Sequence, residues 1–239
     1  MTQRIPWLRI LVEGAVIVAS ILLAFGIDAW WAGMQDRAEE ALALQALRTE
    51  FDENLSGLRA VHEVHEQYAA ELSDLVERMV HAGDGNALAV ADSLLRPLVS
   101  FRTADPAMGT LNTLLASGRI DLIRSQDLQK ALAGWPAAVE DATEDETLVR
   151  DFVHGQLISG LVGEVDLGRL LDSWGSLGPG GRTTRTSEAG EYSLHVSERS
   201  RALVGQRHHL ARLVVLESQN RLDAGEAILT LINRELSPT

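Results

Sequence analysis

A long apolar run near the N-terminus constrains this chain more than any other feature. It extends from Ile10 to Trp31, reads ILVEGAVIVASILLAFGIDAWW, and is apolar on all sides from Gly14 to Ile27. As an α-helix the run would be about 33 Å long, close to the roughly 30 Å hydrocarbon core of a bilayer. The sequence therefore predicts an N-terminal membrane anchor over residues 1–32, with its transmembrane helix at about 10–31.

Aromatic and basic residues mark both ends of the predicted span. Trp7 and Arg9 lie at its start, and Trp30 with Trp31 lie at its end. Tryptophan rings are enriched where a membrane meets water, because the ring is amphipathic. We therefore expect these four residues at the two membrane interfaces, in contact with lipid.

A cleaved signal peptide and a buried core helix are the alternatives to a transmembrane helix. A signal peptidase reads two small residues after the apolar run, whereas this chain offers Ile27 with Ala29, or Trp30 with Ala32. A core helix would be amphipathic, like the helices predicted further along the chain. Both alternatives fit the sequence less well than an uncleaved span.

Three residues inside the span are candidates for contact with a partner's membrane helix. Glu13 is a carboxylate in an apolar segment, where a charge is costly, although it can instead pair with Arg9 one helical turn earlier. Ala15 and Ala19 are small residues four apart, and small residues allow two helix backbones to approach closely in a bilayer. The alternative is that small residues are simply common in spans.

The acidic excess of the chain belongs to the residues after the span. The formal net charge is −13 at pH 7, while residues 1–31 contain two arginines and two acidic residues. Nucleic acid is therefore excluded as a partner, because binding it requires clustered Lys and Arg. The chain has no cysteine, which excludes disulfides, thiolate nucleophiles and cysteine-ligated metals.

The orientation of the span depends on the arginines that flank it. Two arginines precede the span, and Arg37 and Arg48 follow it, so the count is nearly balanced. A short basic N-terminus before an uncleaved span usually stays in the cytoplasm, and a long C-terminal domain is translocated largely regardless of its charge. The sequence predicts a single-pass protein of the bacterial inner membrane with its C-terminal body in the periplasm.

The remaining chain is predicted to be all-α, as a long stalk-like helix followed by a helical bundle. Apolar residues recur every three or four positions over residues 33–81, beginning with Leu44, Leu47 and Phe51, which we expect to form a docking stripe for a partner. A helical domain is predicted over residues 82–174. A flexible loop rich in Gly, Ser and Thr follows over 175–197, and a long C-terminal helix over 198–239 is expected to pack on the domain.

Local signals within the predicted domain suggest where its helices begin and end. Asp105 can cap a helix that has Pro106 at its first position, and Gly118 is placed to end that helix. Ser125 can cap the next helix, which we expect to stop near Pro136. Two-residue alternation is visible only around Tyr192 to Val196, too short to predict a sheet.

No catalytic, cofactor or metal site is predicted. His62 and His65 are three apart with Glu63 and Glu66 beside them, whereas the zinc-protease motif needs histidines four apart. An acidic run from Glu140 to Asp151 lacks the glycine-turned loop of a calcium hand, so a solvated helix face is the better interpretation. We therefore expect that the protein is not an enzyme.

Two segments carry a resemblance to other proteins. RILVEGAVIVASILLAFGIDAWW from Arg9 to Trp31 and LLASGRIDLIRSQDLQKAL from Leu114 to Leu132 together resemble a family of bacterial inner-membrane proteins whose function is uncharacterised. The resemblance implies one N-terminal transmembrane helix and a helical soluble domain, with no activity to transfer. It does not extend to residues 163–196.

These observations favour a non-enzymatic, membrane-anchored accessory subunit. Such a subunit would stabilise or bridge a larger inner-membrane complex, for example a photosynthetic or respiratory one, by contact with other integral membrane subunits. The alternative is a periplasmic sensor or ligand-binding domain tethered to the membrane. Only nine residues precede the predicted span, which we read as leaving no cytoplasmic output domain for a sensor.

Overall fold

The structure is a computed structural model and describes residues 7–166, 168 and 191–237. Most of these residues are helical, and two short strands form one small sheet. The helices and strands are α1 (Trp7–Ala82), β1 (Ala87–Ala91), α2 (Asp92–Val99), α3 (Gly109–Ala116), a 3₁₀ turn (Arg119–Leu122), α4 (Gln126–Phe152), a π-helical turn (Val153–Leu157), α5 (Ile158–Gly160), β2 (Glu191–His195) and α6 (Glu198–Leu236).

Helix α1 contains both the apolar run and the amphipathic stripe that follows it. It has 76 residues, and at 1.5 Å per residue it is about 114 Å long. It contains no proline, and a side chain at Gly57 would meet nothing within 4 Å, so this glycine leaves the helix unbroken. The predicted span and the predicted stalk are therefore parts of one helix.

The second half of α1 is a central helix of the bundle and not a separate stalk. Helix α6 runs antiparallel along it, as the pairing of Arg59 with Glu226 and of His62 with Ser218 shows. Helix α4 packs mainly against α6. An amphipathic helix this long is stabilised chiefly by such packing of its apolar face.

The buried apolar residues form two clusters along the bundle. The first core surrounds residues 44–58 of α1 and includes Trp135, whose ring centroid lies 5.2 Å from that of Phe51. The second core surrounds Leu72, Leu75 and Met79 of α1 and takes in both strands. Buried polar side chains lie between the two cores.

The two strands correct the expectation that this region lacks a sheet. β1 and β2 pair antiparallel, with Val90 opposite Tyr192, and Tyr192 and Leu194 point into the second core. The alternation around Tyr192 to Val196 was therefore a genuine strand signal whose partner lies about a hundred residues earlier in the chain. The end of the predicted flexible loop is thus ordered, while its first part, 175–190, lies outside the described residues.

Two helix boundaries also differ from the prediction. Helix α4 continues through Pro136 because Leu132, Trp135 and Val139 bury its face on both sides of the proline. Such packing compensates for the hydrogen bond that a proline removes.

Helix α3 begins at Gly109, not at Asp105 and Pro106. The side-chain amide of Asn54 donates to the carbonyl oxygen of Ala107 at 2.7 Å and accepts from its N–H at 2.8 Å, which fixes the segment before α3 in a non-helical conformation. The Glu50 carboxylate accepts from the backbone N–H groups of Thr110 and Leu111 and so caps α3 from another helix. The predicted cap at Ser125 and the left-handed glycine at Gly118 are confirmed.

Gly225 allows α6 to approach the first core closely. A Cβ atom at Gly225 would lie 2.8 Å from Leu55 and 3.2 Å from Trp135, whereas one at Gly205 of the same helix would meet nothing within 4 Å. Both Gly→Ala substitutions favour the helix by the same intrinsic amount, about 1 kcal/mol. Only Gly225→Ala adds overpacking, which costs about 1–3 kcal/mol.

We therefore predict that Gly225→Ala is less stable than Gly205→Ala by about 1–3 kcal/mol. The measurement is urea unfolding of the full chain in mild detergent, followed by helical circular dichroism. Equal stability of the two variants would contradict the close packing of α6 on Leu55 and Trp135.

Candidate functional site

The first candidate site is the exposed apolar surface of α1. An 18-residue window of this helix has a mean hydropathy of 1.9, and none of it is buried inside the structure. Its length and composition are sufficient to cross a membrane, although an N-terminal signal sequence would meet the same criteria. The exposed residues include Ala15, Ala19, Trp30 and Trp31, together with Glu13. The side chains of Trp7 and Arg9 lie outside the described residues.

The predicted docking stripe is not part of this exposed surface. Leu44, Leu47 and Phe51 are at most 2% exposed, and all three lie in the first core. The structure corrects their assignment as partner contacts, because packing against α3, α4 and α6 already covers that face of α1. Exposed large apolar side chains after the span occur elsewhere, at positions that include Leu42, Val80, Leu148, Val162 and Leu216.

The second candidate site is a group of buried polar side chains, most of which lie between the two apolar cores, while Arg207 lies on α6 between Val204 and Leu210 of the second core. We call it the polar layer, and it consists of His62 and His65 on α1, Glu146 on α4, and Arg207, Ser218 and Arg221 on α6. Each of these residues is at most 9% exposed. Buried polar groups are costly unless they are hydrogen-bonded, so the partners of each one explain why it is there.

Arg221 and Glu146 form a buried ion pair. The guanidinium Nη2 of Arg221 lies 3.1 Å from the Glu146 carboxylate, and Nη1 of the same residue donates to the carbonyl oxygen of Ala104. Burial raises the pKa of Glu146, while the hydrogen bond from Arg221 acts in the opposite direction. Glu146 also shows that one position of the predicted solvated acidic run faces inward.

Arg207 is bonded to backbone carbonyls and not to a carboxylate. Its Nε and Nη2 donate to the carbonyl oxygens of Leu98 and Ser100 at 3.2 and 2.9 Å. Burial lowers the pKa of Arg207 to about 10, since a cation loses hydration there. The residue remains a cation at neutral pH.

Arginines of the polar layer donate hydrogen bonds to the connector between α2 and α3, residues 100–108. This connector has no regular secondary structure. Its residues are half-buried or exposed, and the N–H and C=O groups that face the bundle need hydrogen-bond partners. Arg207 supplies them at Ser100, Arg221 at Ala104 and Asn54 at Ala107. Three side chains, two on α6 and one on α1, therefore hold this irregular segment against the bundle.

Burial strongly changes the acidity of His65 as well. Its pKa is lowered to about 4, first by burial, then by the charges of Arg207 and Arg221 and by the nearby His62, while a hydrogen bond to the backbone of Arg102 acts in the opposite direction. It is thus neutral at pH 7, and its Nε2 atom is buried without a hydrogen-bond partner among the described residues. The ring lies beside a small cavity whose volume of about 10 Å³ is close to the minimum for one water.

His62 and His65 do not converge on a common point. His62 Nδ1 lies 2.7 Å from the Ser218 hydroxyl and Nε2 lies 3.6 Å from Glu66 at the surface, whereas His65 faces the cavity. Within the described ranges no group of three or more His, Asp or Glu side chains is arranged to hold a metal ion. His62 therefore contacts Ser218 and Glu66, whereas His65 lines the cavity.

The arginines of the polar layer were missed from the sequence, although a signal was present. Arg207 and Arg221 occupy positions close to the apolar residues that α6 buries, namely Val204, Leu210 and Leu222. A charged residue on the apolar stripe of a helix means either that the stripe is assigned wrongly or that the charge has a hydrogen-bond or ion-pair partner inside the fold. Its partner, an irregular backbone segment, cannot be read from periodicity.

Comparison with known proteins gives no relative from which a function could be transferred. No family model, no curated protein and no solved structure matches the chain. The resemblance to uncharacterised inner-membrane proteins therefore stays a prediction.

We predict that His65 makes the protein less stable in mild acid. Its pKa is about 4 in the folded state against 6.5 for an exposed ring, so the unfolded state binds more protons between these values. Stability therefore falls as the pH falls from about 6.5 to about 4, by at most about 3 kcal/mol.

The measurement is urea unfolding of the full chain in mild detergent at pH 7.0 and 5.0, for the wild type, His65→Leu and His81→Leu. His81 is exposed, so the His81→Leu control should keep the pH dependence of the wild type, whereas His65→Leu should flatten it. An unchanged slope in His65→Leu would contradict a buried neutral His65.

Proposed function

We propose that this protein is a non-enzymatic, single-pass accessory subunit that stabilises or bridges a larger bacterial inner-membrane complex. In this proposal α1 crosses the membrane, and its helical bundle lies in the periplasm. The observation that carries the proposal is the continuity of α1, which passes without a break from an exposed apolar surface into the cores of the bundle. A subunit built in this way presents its bundle at a fixed height and angle above the bilayer.

The end of the bundle nearest the apolar segment supports rigid coupling. Glu40, only nine residues after Trp31, is buried and forms a 2.7 Å ion pair with Arg124. Glu39 pairs with Arg119 at the same end. These contacts tie the segment around the 3₁₀ turn to the first helical turns of α1 that follow the proposed span. A flexible tether would need none of them.

The partner surface follows from what the bundle has already buried. Because the stripe from Leu44 onward is covered, the exposed apolar face of the span is the most extensive surface left for other integral membrane subunits. Ala15 and Ala19 are exposed there and permit close helix approach. Lipid covers the remainder of the span.

A tethered ligand-binding or sensor domain is the second candidate. The cavity beside His65 does not support it, because a volume of about 10 Å³ is close to the minimum for a single water molecule. In such a protein the continuity of α1 would serve to pass a change in the bundle to the membrane. A bound small molecule in the purified protein would support this candidate.

The experiment that tests the proposed role compares two pairs of substitutions in the span. Ala15→Leu with Ala19→Leu fills the small-residue face, whereas Val16→Leu with Val18→Leu enlarges other exposed positions by one methylene each. Each full chain is purified in mild detergent, and the recovered membrane subunits are quantified. We expect stoichiometric partners with the wild type and the valine pair, and at least a several-fold loss with the alanine pair.

A reporter that is active only in the periplasm, fused after Thr239, serves as the insertion control. It should be equally active in all three chains, and an inactive reporter in the wild type would contradict the proposed orientation. Absence of any stoichiometric partner of the wild type would overturn the proposed function. Equal recovery with both pairs would remove the Ala15 and Ala19 face as the contact.

A further inference from the structure

The small sheet has an edge on the side of β1 that faces away from β2. In an antiparallel pair every second residue bonds the neighbouring strand, and the residues between them direct their backbone N–H and C=O groups outward. The N–H group of Val196 donates to the carbonyl oxygen of Asn86 at 2.8 Å, which sets this alternation. Leu88 and Val90 are therefore the residues of β1 that bond β2. The outward-facing residues of β1 are its three alanines, Ala87, Ala89 and Ala91.

The two edges of the sheet differ in what they bond. On the outer edge of β2 the N–H group of His195 donates to the carbonyl oxygen of Glu164 at 2.7 Å, as the same alternation requires. On the outer edge of β1, within the described residues, the backbone groups of Ala87 and Ala89 form no hydrogen bond to another segment. Both of these alanines and Ala91 are exposed. The edge of β1 is therefore open.

This edge lacks the features that usually prevent a strand from pairing further. Protected edges carry a charge or a proline, or contain a bulge. The strand reads ALAVA, with no charge and no proline. Gly85 and Asn86 both bond Val196, so a bulge precedes the strand, but none lies inside it. An open edge of this kind is a template for one more strand.

The edge of β1 is complementary to itself. Antiparallel pairing about Ala89 places this residue opposite Ala89 of a second copy, and it places Ala87 opposite Ala91. The outward backbone groups of the two copies then bond each other. On the exposed face only alanine side chains meet, and on the inner face the half-buried Leu88 comes opposite Val90 of the second copy. The strand has no charge, so no like charges are opposed.

The symmetry of this pairing suits two chains anchored in one membrane. Its two-fold axis is perpendicular to the joined sheet, so the two copies keep the same face of the sheet on the same side. On that face Tyr192 and Leu194 belong to the second core, together with Met79 of α1. The α1 helices of both copies therefore lie on one side of the joined sheet.

We propose that β1 pairs antiparallel with β1 of a second copy of this chain, in register about Ala89, and so forms a homodimer. The two strands of each copy then build one four-stranded sheet. About six backbone hydrogen bonds join the copies, and this contact is small, so the dimer is weak and its population depends on protein concentration. Its formation requires no other subunit, and the proposed accessory role therefore stands or falls separately.

The test is sedimentation velocity of the full chain in a neutral detergent over a wide range of protein concentrations. Ala89→Lys and Ala89→Glu each place two like charges directly opposite at the two-fold axis. We expect each variant alone to raise the dissociation constant of the dimer by about tenfold or more. An equimolar mixture of the two variants should restore the dimer, because opposite charges then meet.

Ser193→Lys is the matched control. Ser193 is exposed and lies opposite Ala89 in the same sheet, but on the strand that faces away from the second copy. This variant should dimerise like the wild type. Helical circular dichroism shows whether each variant is folded.

A wild type that stays monomeric at every concentration would overturn the proposal. A dimer that Ala89→Lys and Ser193→Lys weaken equally would also overturn it. The same holds for a dimer that neither variant weakens, since the contact would then lie elsewhere, for example along the apolar segment of α1. Failure of the Lys and Glu mixture to restore the dimer would rule out pairing in register about Ala89.

Discussion

The rest of the structure depends on the antiparallel packing of α6 along the second half of α1. This contact covers the apolar stripe of α1, supplies one wall of both cores, and brings the C-terminal chain back toward the apolar segment. Gly225 makes the closest approach possible, at Leu55 and Trp135. Without α6, the long helix would expose both a membrane-like surface and a core-like surface to water, and neither is stable there.

The same packing places an irregular backbone segment at the middle of the bundle, where side chains supply its hydrogen-bond partners. An irregular connector crosses the helices where the two cores meet, and its backbone needs hydrogen-bond partners. Arg207 and Arg221 provide them from α6, and Glu146 balances one of their charges from α4. Removing one partner of a buried ion pair typically costs several kcal/mol, so the layer specifies the alignment of the three helices.

Periodicity and capping signals were sufficient to predict the main helices. The apolar spacing along α1 and α6 indicated both of them, and Ser125 and Gly118 marked helix ends as expected. These features depend on residues that are close together in the sequence. An apolar N-terminal helix long enough for a membrane was likewise predictable, because length and hydropathy are local properties.

The features that were not predictable depend on contacts between distant residues. β2 was recognisable only in the presence of β1, and α3 begins late because Asn54 and Glu50 reach it from α1. The Leu44 stripe looked available to a partner because its real cover, α6, lies more than a hundred residues away. In the polar layer, sequence showed a charge on an apolar stripe but not the backbone groups that it bonds.

The central claim is that α1 is one rigid helix from its apolar segment into the bundle. Because the chain has no cysteine, spin labels can be placed at Ser20→Cys and Thr49→Cys without removing others. Both positions are exposed, and an unbroken helix separates their backbones by about 44 Å. Pulsed electron–electron double resonance between the two spin labels, on the full chain in lipid nanodiscs, should give a single narrow distance distribution near that value. A broad distribution, or a maximum shorter by about 10 Å, would show that the helix bends or unwinds between the two segments and would contradict the claim.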